Sequence, residues 1–286
     1  MNLLICTDGS RDSLQAAAFL RLLQLPPDTA ATLLAVGGGR RTGKLEASLG
    51  AMQQMLEAQG FHPGRLIRRG PLSREILEAA EQGGHDLVLI GAPPRQGLLR
   101  SRLTASACEL SDRLMAPLLI ARRVPERPGR MLLCTSAERP AQETLRRGGA
   151  LLRLLPAAAT LVHVMSQVAL DPDSPLEDLR LSAEQAMAKR TREGAHLAEA
   201  MGWLREAGLT GEITPRLRHG LVVEEILQEL EEEEYALLVL GAHSPAGRGR
   251  LLEALLDDIT DQLIVKSPCS VLVVWHDPRR SHAREL

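Results

Sequence analysis

The chain has 286 residues, a formal net charge of −2, and 44% hydrophobic but only 2% aromatic side chains. That length is about twice a usual domain, so two full cores can be buried, built from Leu, Val, Ala and Ile as in parallel sheets flanked by helices. Near-neutral charge without a basic block gives no electrostatic footprint for nucleic acid, and no run reaches the roughly 18 apolar residues of a membrane span.

The N-terminus enters an apolar run at once, without the basic region, apolar core and cleavage site of a secretory signal, so the expected compartment is the cytoplasm. Cys6, Cys108, Cys134 and Cys269 show no Cys-x-x-Cys spacing and sit in or beside apolar runs. They read as reduced, buried thiols and not as a metal or disulfide framework.

Asn2 to Cys6 reads as a buried strand, and Thr7-Asp8-Gly9-Ser10 as a turn into a helix starting near Asp12 or Ser13. Two roles are open to Asp8: helix cap, or ligand contact, because a carboxylate just beyond the first strand of an α/β sheet lies at the ligand-binding edge. The helix runs through Leu14, Ala17, Ala18, Leu20 and Leu22 to Pro26-Pro27, and Ala31 to Val36 forms a second strand. Gly37-Gly38-Gly39 reads as a connector, since neither a P-loop ending nor a dinucleotide fingerprint accompanies it. Leu45 to Gln59 is a helix stopped by Gly60, Arg65 to Arg69 a third strand, and Gly70 to Ser73 leads into a helix over Arg74 to Gln82.

Asp86 to Ile90 is an apolar run without polar alternation that ends in Gly91, the pattern of a parallel strand covered on both faces. The loop beyond carries Arg95, Gln96, Gly97, Arg100 and Arg102, whose arginines serve either as phosphate donors or as a solvated surface. A helix is expected from about Thr104-Ala105-Ser106, where Ser106-x-x-Glu109 fits a capping box, and Leu118 to Ala121 closes the unit. Five strands alternating with helices make a doubly wound parallel sheet, and residues 122–130, with Pro125, Pro128 and Gly129, read as a linker.

The second half restates the first. Met131 to Thr135 repeats the first strand, with Cys134-Thr135 about 128 residues after Cys6-Thr7. Leu161 to Val164 matches the second strand, Gly220 to Ile226 matches Gly70 to Ile76, and Ala236 to Gly241 matches the strand ending in Gly91. The offset grows to about 150, so the second copy carries an insertion near Asp171 to Pro175 and the helix that follows. His163 and His243 read as structural histidines without an assignable catalytic partner, and Glu231 to Glu234 as a solvated face closing a helix.

The opening Leu4-Ile5-Cys6-Thr7-Asp8-Gly9-Ser10, the strand ending in Gly91 with its repeat, and the closing Ser267-Pro268-Cys269-Ser270-Val271-Leu272-Val273-Val274 resemble the universal stress protein family, its tandem members in particular. The resemblance implies two five-stranded α/β domains of the adenine nucleotide alpha-hydrolase type, at 1–124 and 131–276, with a linker at 125–130, a tail at 277–286 and an internal pseudo-twofold axis. It further implies that Leu118 to Ala121 and Val271 to Val274 lie side by side and antiparallel.

The family's nucleotide-binding members follow the fourth strand with Gly-x-x-Gly, a spacer, then Gly-Ser or Gly-Thr opening the last helix. Small residues let amides approach phosphates there, and the helix N-terminus supplies donors. Carried over, the resemblance places an ATP or AMP site at Asp8, Val36, Gly91, Pro94, Gly97, Thr104, Ala105 and Ser106. Pro94 stands for the second glycine and removes an amide donor, and Thr104-Ala105 replace Gly-Ser. In the second half Ser136 replaces the acidic residue, Ser244 the second glycine and Asp257-Asp258 the final pair, so no ATP site is expected there.

The implied function is a cytoplasmic stress-linked regulator with at most one adenine-nucleotide site and a regulatory protein partner, and with neither nucleic acid nor membrane as partner. The chain would form an intramolecular pseudo-dimer, with further homodimerisation left open. The alternative is a nucleotide-independent interaction scaffold, and an ATP-hydrolysing enzyme ranks third, because no general base or metal ligand set can be named.

Overall fold

The computed structural model describes residues 1–37, 42–93, 102–136, 148–149, 151–165, 181–242 and 259–275. The strands are β1 (Asn2–Thr7), β2 (Ala30–Val36), β3 (Gly64–Arg68), β4 (Leu87–Gly91) and β5 (Leu118–Ala121), then β6 (Arg130–Thr135), β7 (Ala159–Met165), β8 (Ile213–His219), β9 (Tyr235–Ala242) and β10 (Ser270–Trp275). They form one ten-stranded sheet in the order β3-β2-β1-β4-β5-β10-β9-β6-β7-β8. Every pairing is parallel except β5 with β10. Exchanging β1–β5 for β6–β10 reverses that order onto itself, so the sheet carries a local twofold at the β5–β10 seam.

The seam is the antiparallel pairing of the closing strands that the resemblance implies: Leu119 faces Leu272, with Leu118 opposite Val273 and Ile120 opposite Val271. Left unpaired, either strand would present a long apolar edge. Arg122, read above as the start of a linker, is instead 1% exposed and built into the seam. Its amide donates to Ser270 Oγ (3.0 Å), that hydroxyl donates to the Arg122 carbonyl (2.9 Å), and Nη1 donates to the Ser267 carbonyl (3.3 Å). Arg130 likewise already belongs to β6. A long side chain can bury its stem against apolar neighbours while its head finds carbonyls, which composition alone does not announce.

The helices are α1 (Leu14–Phe19), α2 (Thr42–Glu57), α3 (Leu72–Gly83), α4 (Arg102–Arg113), α5 (Ala183–Lys189), α6 (Arg192–Glu206), α7 (Val222–Glu232) and α8, described over 259–266. Two apolar layers sandwich the sheet. One joins Leu3, Ile5, Leu33 and Leu161 to α1, α2, α5 and α6 through Ala16, Leu49, Met52, Ala183 and Leu197. The other joins Leu4, Cys6, Leu34 and Leu238 to α3, α4, α7 and α8 through Ile76, Leu110, Ile226 and Leu263. Strands buried on both faces explain the uninterrupted apolar runs. Within each half the chain steps outward on one face and returns on the other, the path that right-handed crossovers prescribe. The direction reverses between β1 and β4, and again between β6 and β9, and such switch points are where open α/β sheets bind ligands.

At the seam a cavity of ≈ 20 Å³ is lined by Phe19, Leu87, Leu119, Leu152, Leu237 and Leu272 among others. It has room for about one water, but an apolar lining of this kind stays dry. Helix starts differ from expectation by a few residues. α3 begins at Leu72, not Arg74, with Pro71 as its cap. α4 begins at Arg102, so Ser106 is interior and the expected Ser106-to-Glu109 box does not form. Glu109 instead accepts from Ser73 Oγ and pairs with Arg113 (3.0 Å), partners on another helix and one turn on that a local motif cannot foresee.

Candidate functional site

The C-terminal end of β1 is fixed by a triangle of buried hydroxyls. Thr7 Oγ1 lies 2.7 Å from Ser13 Oγ and 2.9 Å from Ser48 Oγ, and the two serines are 3.2 Å apart. Ser13 spends its one proton on the Ser10 carbonyl (2.7 Å), so within the triangle Ser13 accepts. Thr7 Oγ1 also accepts the Gly9 amide (3.0 Å). Strand, turn, α1 and α2 are thereby tied at one point. Thr7 and Ser13 were visible in the sequence as a strand end and a helix start, but not as partners, and Ser48 was not visible at all: a serine facing a strand-end threonine across 41 positions carries no local signal.

Asp8 sits on this turn, half-buried, and Oδ1 accepts the Ser10 amide at 3.0 Å, the local bond of an Asx turn. Gly9 adopts φ +81°, and a Cβ there would lie 3.0 Å from Leu45 Cα, a conformation and a gap that suit glycine. Gly91 ends β4 beneath the start of α1: a Cβ there would lie 2.1 Å from the Asp12 carbonyl oxygen and 2.7 Å from Ser13 Cα. The glycine is therefore required by the close approach of the Asp12–Ser13 backbone. Val36, 4% exposed, ends β2, and the next amide, Gly37, donates to the Arg68 carbonyl (3.1 Å).

Asp8, Val36 and Gly91 thus share the C-terminal edge around the switch point between β1 and β4. Thr104 and Ala105 fall in the first turn of α4, where amides lack intrahelical acceptors, and Ser106 follows them one position deeper. Pro94 and Gly97, with Arg95, Gln96 and Arg100, lie outside the described residues.

The second half builds the corresponding edge from different chemistry. Register pairs Thr7 with Ala35 and Thr135 with His163, so an imidazole stands where the first half has a methyl group. His196 on α6 takes the place of Ser48 on α2, and its Nε2 lies 3.0 Å from Thr135 Oγ1. His163 Nδ1 lies 3.1 Å from the Thr135 carbonyl, which can only accept, so Nδ1 carries the proton. The two rings meet edge to face at 5.2 Å, and His196 meets Trp203 at 6.4 Å. Each histidine is 7% exposed.

Burial holds His163 below its ordinary pKa, despite the Thr135 carbonyl and Glu193. Burial and repulsion from His163 push His196 down to about 4. Both rings are neutral at physiological pH and act as hydrogen-bonded packing elements, the structural role expected for His163. His243 lies outside the described residues. Among the described residues no group of His, Cys, Asp and Glu is arranged to hold a metal.

Comparison with known proteins places this arrangement. The family model described as the universal stress protein family matches residues 128–274. The chain belongs to the universal stress protein family. A universal stress protein from Archaeoglobus fulgidus superposes with a TM-score of 0.66 at 16% identity, covering 96% of this chain and 98% of that one. A putative universal stress protein from Pseudomonas aeruginosa gives 0.65 at 17%, covering 96% and 92%. Both likenesses extend the shared fold across the two halves. No curated protein matches the sequence.

A second feature of this universal stress protein escaped the sequence reading. Arg68 on β3 reaches Glu75 and Glu78 on α3 (3.9 and 3.6 Å), and its repeat Arg218 on β8 reaches Glu225 and Glu229 on α7 (3.4 and 2.6 Å) and Glu232. Glu229, 2% exposed, also accepts from Tyr235 Oη (2.7 Å). Part of the acidic run expected to be merely solvated is thus engaged, with Glu232 on Arg218 and Glu233 on Arg216 (3.1 Å). The clue was present as an arginine at the same place in both repeats, two residues before a glycine.

Proposed function

We propose that this universal stress protein is a cytoplasmic regulatory module that reads an adenine nucleotide, ATP or AMP, at one site in its first repeat, while the second repeat serves the architecture. On this reading the repeats run over 1–124 and over 130–276, the second opening with β6 at Arg130, and 125–129 joins them. The observation that carries the reading is the divergence of two equivalent sheet edges. The first offers Asp8, whose Oδ2 has no partner among the described residues, next to Thr7, which faces the small residues Ala35 and Ser48. The second offers Ser136 next to Thr135, which is bonded to His163 and His196, with Trp203 behind His196.

On this reading the Asp8 carboxylate accepts from an adenine amino group, the end of β2 contributes main-chain groups, and the amides around Thr104 and Ala105 donate to phosphate. Among the described residues no helix is long and apolar enough to cross a membrane. Calorimetric titration of ATP and AMP into wild type, Asp8→Ala and Ser136→Asp tests the reading. The expected result is binding in wild type, loss of at least about tenfold in affinity in Asp8→Ala and no second site in Ser136→Asp. No heat at millimolar nucleotide, or binding indifferent to Asp8→Ala, overturns it and favours the nucleotide-independent scaffold.

A further inference from the structure

The two outer ends of the sheet are not covered alike, although the repeats are otherwise equivalent. β3 and β8 occupy matching terminal positions, and Arg68 and Arg218 hold them to the following helix in the same way. That register makes Ile67 the counterpart of Leu217. Leu217 is partly buried against the core that also receives Met187 of α5, and α5 packs on both β8 and α6. Among the described residues the first half has a single helix, α2, between β2 and β3, and none in the position of α5. Ile67 is accordingly 59% exposed.

Arg65, Ile67 and Arg69 alternate along the chain and so project from one face, the face that α2 covers further in over Leu33 and Ala35. Both arginines are exposed, and neither pairs with a described residue. The bare face is therefore an apolar centre between two cations. We infer that this face of β3 is a docking site for an acidic amphipathic helix of a partner protein, seated on Ile67 as α5 is seated on β8, with carboxylates meeting Arg65 and Arg69.

The repeat itself supplies the argument for a helix: the same sheet position, 150 residues on, is covered by one, through small and flexible apolar residues (Ala183, Ala186, Met187). Charge supplies the argument for acid and against a second copy, since a twofold contact through β3 would bring Arg65 and Arg69 against their own kind. Glu46 of α2 stands where Gly194 lets α5 pass close to α6, so the occupant lies along β3 and not across the start of α2.

The test uses the full chain and a labelled peptide of about 16 residues that keeps the apolar spacing of 183–187, with Glu at its remaining exposed positions. Anisotropy should report saturable binding that weakens at least about tenfold in Ile67→Glu and in the double variant Arg65→Glu/Arg69→Glu, and weakens as salt shortens the screening length. The peptide with Lys in place of Glu should not bind, and backbone amide shifts should concentrate on β3 and not β8. Thermal melting confirms that these surface variants stay folded. Absence of binding, binding untouched by both variants, or equal binding of the Lys peptide overturns the inference. So does a dimer of the wild-type chain that Ile67→Glu dissociates, which would make a second copy the occupant. Binding of anionic vesicles or duplex DNA that depends on Arg65 and Arg69 while the acidic peptide fails to bind would also overturn it.

Discussion

Replacing His196 by Gln isolates the proton linkage of the buried imidazole pair, because Gln keeps a hydrogen-bonding group near Thr135 Oγ1 but cannot be protonated. In the unfolded chain His196 titrates near its ordinary value of about 6.5. In the folded chain burial and the neighbouring His163 push it down to about 4. Above pH 7 both states are neutral and no stability depends on this proton. As pH falls through about 6.5 the unfolded chain takes up the proton while the folded chain does not, so stability declines, and the decline ends near pH 4, where the folded ring also protonates. At about 1.4 kcal/mol per pH unit that window is worth about 3 kcal/mol. His163 adds in the same direction, being held low by burial, Arg192 and His219 against the pull of Glu193. Urea unfolding at pH 8 and pH 4.5 should show wild type losing about 2–3 kcal/mol more than His196→Gln between the two conditions. Equal losses in both proteins would show that the ring is not held neutral, and the packing argument for it would fail.

Three further outcomes follow from the packing. Glu229→Ala leaves Arg218 and Tyr235 without their buried acceptor and should cost about 3–5 kcal/mol, whereas Glu78→Ala, at an ion pair with a carboxylate side chain 40% exposed, should cost less than about 1 kcal/mol; equal costs in chemical denaturation would contradict the assigned burial. Gly91→Ala forces a methyl against the Asp12 carbonyl and should lower stability by about 2–3 kcal/mol in thermal melts, while an unchanged midpoint would mean that the α1 turn yields freely. Leu272→Pro removes a backbone donor from a strand paired on both sides and should separate the halves, seen as a second unfolding transition or aggregation; a single unshifted transition would place the seam elsewhere.

The strands, their order along the chain and the duplication were legible in the sequence, because a strand buried on both faces must be apolar throughout and a repeat restates that requirement at a fixed offset. The antiparallel seam was legible through the family resemblance, with which the apolar character of Leu118–Ala121 and Val271–Val274, too apolar to be left at an edge, agrees. Asp8 and Gly91 could be nominated from their place at strand ends, since open sheets bind ligands where the strand direction reverses, whereas Val36 came from the family resemblance. What joins those ends was not legible. The triangle of Thr7, Ser13 and Ser48, the imidazole pair of His163 and His196, and the burial of Arg122 each depend on groups brought together across tens to hundreds of residues, and no local pattern encodes such distances. Gly91 makes the same point in reverse: the sequence proposed a glycine near a ligand, and the fold supplies a second reason for it, the backbone of Asp12 lying where a side chain would be. The unequal cover of β3 and β8 was decided by tertiary structure alone, because exposure is a property of what lies beside a residue, and Ile67 and Leu217 are equally apolar in the sequence.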